Sequence, residues 1–386
     1  MFSSRTRWNR AENRLAALIA ARRASGAPLV DLTLSNPSQA GLVAPADLIA
    51  LLGDPGNVAY QPEARGQASA RAAVAADFAR RGHAVAPDCI VLTSSSSEAY
   101  AYLFKLLCDP GDAVLVPRPS YPLFEFLAGL EGLATLTYPL AYDGAWHLDF
   151  AALAAAVTPG TRAVVVVNPN NPTGSYLSRA EAERLLGWCA ERELAIVSDE
   201  VFADYALDAG PDRAATLAGS ETALVFALGG LSKSCGLPQL KLGWIAASGP
   251  RGARDEALAR LEIVADSYLS VSTPVQRALP RILARLRELQ APIAARLAGN
   301  LRRLRQELGP RSPATLLPVG GGWSAVLRVP ATLSEEERVL GLVERQGVLV
   351  HPGYFFDFPS EAHLVLSLLP EPDTFAAGVS RVLAGL

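Results

Sequence analysis

Lysine is scarce in this chain of 386 residues: Lys105, Lys233 and Lys241 stand against 32 arginines. Arginine supplies positive charge almost everywhere, so a kept lysine is a candidate for what a guanidinium does not do, losing its proton and attacking a carbonyl. Cysteine is scarce too. Cys89, Cys108, Cys189 and Cys235 are scattered without Cys-x-x-Cys spacing, which argues against zinc or a disulfide framework and for free thiols in a reducing compartment. No metal is expected. Apolar runs such as Ala163–Val167 fall far short of the roughly 20 residues that cross a bilayer. Met1–Arg10 is polar and Arg-rich, without the apolar centre of a secretory signal, so a cytoplasmic protein is expected. A net charge of −3 with 19% charged residues gives no basic stripe for nucleic acid or a membrane surface. A small-molecule partner is expected instead.

Hydrophobic residues make up half of the chain, and the length exceeds that of a usual single core, so two domains are expected. β-rich runs recur at Cys89–Thr93, Ala113–Pro117, Ala134–Pro139, Ala163–Val167, Ala195–Ser198, Leu224–Leu228 and Trp244–Ala247, mostly separated by helix-like segments. That alternation predicts an α/β fold with a mostly parallel, seven-stranded sheet covered on both faces. After Pro250 the pattern turns to Arg/Leu/Ala segments, 252–264 and 274–308, that read as helices. A smaller α+β unit follows, with strands near Ser324–Val329 and His363–Leu369, a helix opened by a Ser334/Glu337 capping box, and a last helix from Asp373.

Four segments fall where parallel sheets place ligands, at the carboxyl ends of strands. Asn168-Pro-Asn-Asn-Pro-Thr-Gly174 is a fixed loop in which Asn171 can present an amide. In Ser198-Asp-Glu-Val-Phe202 a carboxylate, Asp199, stands where it can pair with a protonated ring nitrogen. Gly229-Gly-Leu-Ser-Lys-Ser234 puts Lys233 in a Gly- and Ser-rich turn after an apolar strand. Thr93-Ser-Ser-Ser-Ser-Glu98 joins a strand to a helix whose first N–H groups suit a phosphate. Taken singly, each also reads as an ordinary turn or helix cap.

In order and spacing these segments resemble the fold-type-I pyridoxal-phosphate (PLP) enzymes, specifically the class I/II aminotransferase family. The likeness runs from Asn36-Pro37 through Tyr60 and Gly66 to the Pro352-Gly353 turn. It implies a large PLP-binding domain over 45–275 and a small domain built from 1–44 and 276–386; the helix Glu12–Ala24 and the extended Leu29–Leu34 join the latter. It also implies pyridoxal 5'-phosphate held as a Schiff base on Lys233, which later shuttles the α-proton. Asp199 would pair with the pyridine nitrogen, Asn171 would donate to the ring's phenolic oxygen, and Tyr121 would stack on the ring. Ser95, Ser96, Ser97 and Ser232 match the phosphate site. Tyr60 matches a residue that reaches the neighbouring subunit's phosphate, so a homodimer with shared sites is implied. Asn36, Arg65, Arg118, Trp323 and Tyr354, with His351, are the candidates for touching substrate.

Three positions depart from the pattern. Phe202 stands where the family commonly has a tyrosine whose hydroxyl also reaches the ring oxygen. Lys241 replaces the usual phosphate arginine, keeping charge but losing the bidentate fork. His363-Leu-Val-Leu-Ser367 puts Val365 where the family holds the arginine that clamps the substrate carboxylate. Transamination between an amino donor and a keto-acid acceptor is the first reading. The same core also supports lyase chemistry (β-elimination, decarboxylation or cyclisation), which the departures bring forward. A non-enzymatic PLP-binding regulator fits worst, since Lys233 is intact and no basic stripe or winged-helix segment is present.

Overall fold

The run Thr161–Val167 is rich in β-branched residues and buried apart from exposed Arg162 and half-buried Val167, which suits a strand covered on both faces. It lies near the centre of an eight-stranded sheet. The computed structural model describes every residue except Ala209. Its strands are β1 (Val30–Asp31), β2 (Ile90–Thr93), β3 (Ala113–Arg118), β4 (Ala134–Tyr142), β5 (Trp146–Leu148), β6 (Thr161–Val167), β7 (Ala195–Asp199), β8 (Val225–Gly230), β9 (Gly243–Ser248), β10 (Thr315–Leu316), β11 (Ser324–Arg328), β12 (Val348–Leu349), β13 (His351–Pro352) and β14 (His363–Ser367).

The large sheet has the order β2-β9-β8-β7-β6-β3-β4-β5. All seven expected strands are in it, and β5, only three residues long, adds an antiparallel edge through a hairpin with β4. From β4 to β8 the pairs are parallel. Both β2 and β8 run antiparallel to β9, so β2 points the same way as the parallel core. The carboxyl ends of β2, β3, β6, β7 and β8 therefore share one edge, and every motif singled out in that region follows one of them.

A second sheet, β10-β11-β14-β13, is antiparallel, and β1 pairs with β12 beside it. Leu32, Leu297, Leu327, Val343, Leu364, Leu366, Phe375 and Val379 are buried in one cluster around it. The Ser334/Glu337 capping box forms as expected. Residues 274–308 form two helices, Thr273–Ala284 and Leu286–Glu307, broken at Arg285. Val275, Leu279, Ile282, Leu286 and Leu289 pack in the cluster of Leu92 and Trp244 on the large sheet, whereas Ile293, Leu297 and Leu301 join the smaller core. In place of a division at 275, we propose one that runs through the helix Leu286–Glu307.

Glu335, 2% exposed, ties the smaller unit's loop to its helix. Its carboxylate accepts the backbone N–H of Tyr354 at 2.6 Å and of His363 at 2.7 Å. Glu335→Ala strands both donors and should lower unfolding free energy by about 2–4 kcal/mol. The same change at half-buried Glu336, whose one ion-pair partner among the described residues is Arg14 at 3.5 Å, should cost about 0.5 kcal/mol or less. Urea unfolding of the two variants checks this; equal losses would mean that Glu335 is not an anchor.

Candidate active site

Strand register brings the two half-buried charges of the site together. Asp199 ends β7 and lies opposite Leu228 of β8; three residues beyond the end of β8, Lys233 sits in the short helix Leu231–Ser234. Tyr205 fixes this turn, its hydroxyl lying 3.0 Å from the carbonyl oxygens of both Lys233 and Ser234. Asp199 accepts the backbone N–H of Val201 at 3.2 Å and the hydroxyl of Tyr100 at 3.0 Å. Burial pushes the Asp199 carboxyl up, opposed by those two donors and by the Lys233 charge. Burial likewise pushes the Lys233 amine down, and the Asp199 carboxylate pulls it part of the way back. An amine so depressed has a larger neutral, nucleophilic fraction near neutral pH.

Both groups open into a cavity of about 380 Å³. At one end the strand β2 passes into the helix Ser96–Leu107, whose cap is Ser95; the Ser95 Oγ accepts the N–H of Glu98 at 3.1 Å. The oxygen serves the cap as an acceptor, so the Ser95 O–H and the first N–H groups of the helix are the donors left for an anion. The packing here is tight: a Cβ at Gly243 would lie 3.0 Å from the Gly229 oxygen and 3.3 Å from the Ser95 carbonyl carbon. Lys241, in a left-handed conformation two residues before β9, and Ser232 line the same cavity.

The loop after β6 has three asparagines, and the fold uses two of them as braces. The Asn168 amide donates to the Ala214 oxygen at 2.9 Å, and the Asn170 amide to the Pro119 oxygen at 3.0 Å. Asn171 lines the cavity; its Oδ1 is engaged by Ser324 Oγ at 3.4 Å, which leaves its N–H donors for a ligand. Tyr121 is at the mouth, half exposed. Trp323 and Phe202 meet edge-to-face at 5.4 Å, and Lys233 Nζ is 5.1 Å from the Trp323 ring and 5.6 Å from that of Phe202.

Of the residues expected at the site, Ser95, Ser96, Ser97, Tyr121, Asn171, Asp199, Phe202, Ser232, Lys233, Lys241, Trp323 and His351 line this one cavity. Asn36, Arg65, Arg118 and Tyr354 do not. The Asn36 Oδ1 accepts from Ser38, Arg65 is held by Glu262 at 3.1 Å, Arg118 lies 3.5 Å from Asp357, and the Tyr354 side chain points to solvent. Nearness in sequence to Tyr60 and Tyr121 had suggested the two arginines, but ion pairs aim them elsewhere. Tyr60, 75% exposed, lines a separate surface cleft with Leu269 and Gln276.

Tyr100 is a lining residue that the sequence reading missed. Its signal was the spacing, since four residues after Ser96 it shares the helix face that meets the sheet edge. Thr33, Ser324 and Ser367 were missed because they come from the loop after β1 and from the second sheet, whose pairings no motif announces. The donor set suits PLP group by group: an amine for an aldehyde, a half-buried carboxylate for a ring nitrogen, an amide for a phenolic oxygen, and helix N–H groups with a lysine for a phosphate. Two wider depressions, of about 580 and 630 Å³, contain no lysine among the described residues. No described helix is long and apolar enough to cross a membrane, and no described side chains cluster as metal ligands.

Residues 24–373 match the family described as aminotransferase class I and II. The chain is 28% identical over 380 residues to an alanine aminotransferase of Mycobacterium tuberculosis, covering 93% of this chain and 86% of that one. It is 25% identical to a glutamate-pyruvate aminotransferase of Escherichia coli, covering 92% and 90%. In fold it superposes on an aminotransferase structure from Escherichia coli with a TM-score of 0.86 at 23% identity, covering 100% and 97%.

Tyr100→Phe removes a donor to the ionised form of Asp199, so the carboxyl pKa should move further up. Carbon-13 titration of the aspartate carboxyls reads this directly. An unchanged Asp199 titration would show that the hydroxyl does not stabilise the carboxylate.

Proposed function

Because the chain belongs to the aminotransferase class I and II family and is a transaminase, we propose that it exchanges amino groups using PLP carried on Lys233. The Lys233–Asp199 pair, in one cavity with the Ser95–Ser97 turn, is the observation that carries this reading. When bound, PLP supplies an aldehyde that condenses with amines and a ring that withdraws electrons from the substrate bonds around the nitrogen.

Each role follows from an environment already described. The Lys233 amine, its pKa lowered by burial, is the group that would hold the cofactor's aldehyde, and as a free amine it would be the base for the proton on the amine-bearing carbon. Asp199 keeps a proton on the ring nitrogen because its carboxylate, desolvated, has no solvent to share that charge with; Tyr100 holds it in place. The N–H groups at Ser96 and Ser97, the Ser232 hydroxyl and the Lys241 ammonium bind phosphate. Asn171 donates to the phenolic oxygen, and Tyr121 covers the ring. Phe202 adds no donor. Tyr205 cannot supply the missing hydroxyl, since its own is spent on the Lys233 and Ser234 carbonyls.

The donor and acceptor are small molecules, an amino compound and a keto acid by analogy with the family. Val58, Tyr60, Tyr268 and Leu269 are exposed, and Tyr60 and Leu269 share a cleft; an apolar surface of this kind suits a homodimer in which Tyr60 reaches the partner's phosphate. Four free thiols fit a cytoplasmic setting.

Lys233→Ala should lower amino-group exchange by about 10²–10⁴-fold or more while the fold stays intact by circular dichroism. Lys241→Ala should instead weaken cofactor binding about three- to tenfold. Near-normal exchange in Lys233→Ala would remove the proposed role of that lysine. Mixing Tyr60→Ala and Lys233→Ala chains should restore part of the activity, because a mixed dimer assembles one intact site. Full activity in a monomer of measured mass would contradict the shared site.

A further inference from the structure

The cavity has a charged side and an apolar side, built from different parts of the fold. Lys233 and Lys241 both come from the segment between β8 and β9, so its two lysines stand on the large-sheet side with Ser95–Ser97. The facing wall comes from Leu123, Phe124, Trp323, Phe356 and Val365. Val365 is 1% exposed and belongs to an apolar cluster with Trp146, Leu317, Val326 and Phe356.

Among the described residues no cation stands on that wall to meet an anion; its neutral donors are the Trp323 Nε1, which has no hydrogen-bond partner, and the Ser35 hydroxyl. No arginine lines the cavity among the described residues. Arg328, on the same strand as Val326, lines a different depression. Three of the hydroxyls lining it are committed elsewhere: Thr33 to Asp31 at 2.6 Å, Ser367 to the Leu34 oxygen at 2.5 Å, and Ser324 to Asn171 at 3.4 Å. The ionisable group there is His351, register partner of Val365. Its ring packs on Phe355 and Phe356, and burial lowers its pKa, which keeps the imidazole neutral near neutral pH. A carboxylate against this wall would give up water without gaining an opposite charge, whereas an apolar group would gain from burial.

From this asymmetry we infer that the amine substrate of the site is an apolar primary amine with no carboxylate on the amine-bearing carbon, and that Val365 sets the preference. The inference rests on the transaminase reading of the cavity. The net exchange balances without an added oxidant: the amine R–CH2–NH2 leaves as the aldehyde R–CHO, and a carbonyl acceptor leaves as the corresponding amine. The acceptor meets the same wall, so an apolar aldehyde or ketone replaces the keto acid taken above from the family analogy.

Two ligand pairs that differ only at the carboxylate position test it on the holoenzyme. The first pair, 3-phenylpropanol and 3-phenylpropionate, has no amine, and calorimetry gives binding alone. The second, 2-phenylethylamine and L-phenylalanine, reports amino exchange. The carboxylate-free member should bind, and exchange, better by about 30-fold or more. Val365→Arg should reverse the order of the first pair; if that variant does not fold, the wild-type comparison decides alone. Equal or tighter binding of 3-phenylpropionate to the wild type would overturn the inference, pointing to a cation contributed by a second copy of the chain. Failure of the transaminase reading looks different: the preference in the first pair persists, but no amine exchanges its nitrogen.

Discussion

The arrangement of this protein turns on one electrostatic coupling at the floor of a cavity, between the half-buried Lys233 amine and Asp199 carboxylate. Taking two charges out of water costs several kcal/mol each before their attraction is counted. Burial drives both toward neutrality, the amine down and the acid up, and each charge restrains the other. A pair held at that balance has the properties that amino-group chemistry asks of it: a lysine that gives up its proton readily and a carboxylate reserved for a cation.

Much of the surrounding fold can be understood as support for that pair. The buried strands β6, β7 and β8 bring the Asn171 loop, Asp199 and Lys233 to adjacent strand ends. Tyr205 holds the lysine's backbone and Tyr100 the acid's oxygen, each through a hydroxyl with no freedom left for a ligand. The second sheet closes the cavity with Trp323, Val365 and Phe356, a wall without charge near neutral pH. The proposed lysine, acid and phosphate-binding turn thus stand at the edge of the large sheet, and the wall inferred to select the substrate stands mainly on the smaller unit. A change in the wall can alter which amine is accepted without disturbing the pair that reacts.

The sequence carried the large sheet clearly, because long apolar runs such as Thr161–Val167 and the motifs after them are local signals. It carried the cavity's charged side for the same reason. Strand β5 escaped notice because three residues show no period, and the break at Arg285 lies inside a continuous Arg/Leu/Ala pattern. The second-sheet wall was legible only at Val365 and Trp323, since Thr33, Ser324 and Ser367 meet through pairings distant in sequence. Arg65 and Arg118 misled for the converse reason: adjacency along the chain said nothing of the carboxylates that turn them away.

Reduction of the holoenzyme with borohydride makes the bond between cofactor and protein permanent, and peptide mass spectrometry then identifies the residue that holds it. If the Lys233–Asp199 pair is what makes a lysine reactive here, the pyridoxyl mass will be found on the peptide carrying Lys233. A pyridoxyl mass on Lys241 or Lys105, with Lys233 unmodified, would contradict that account.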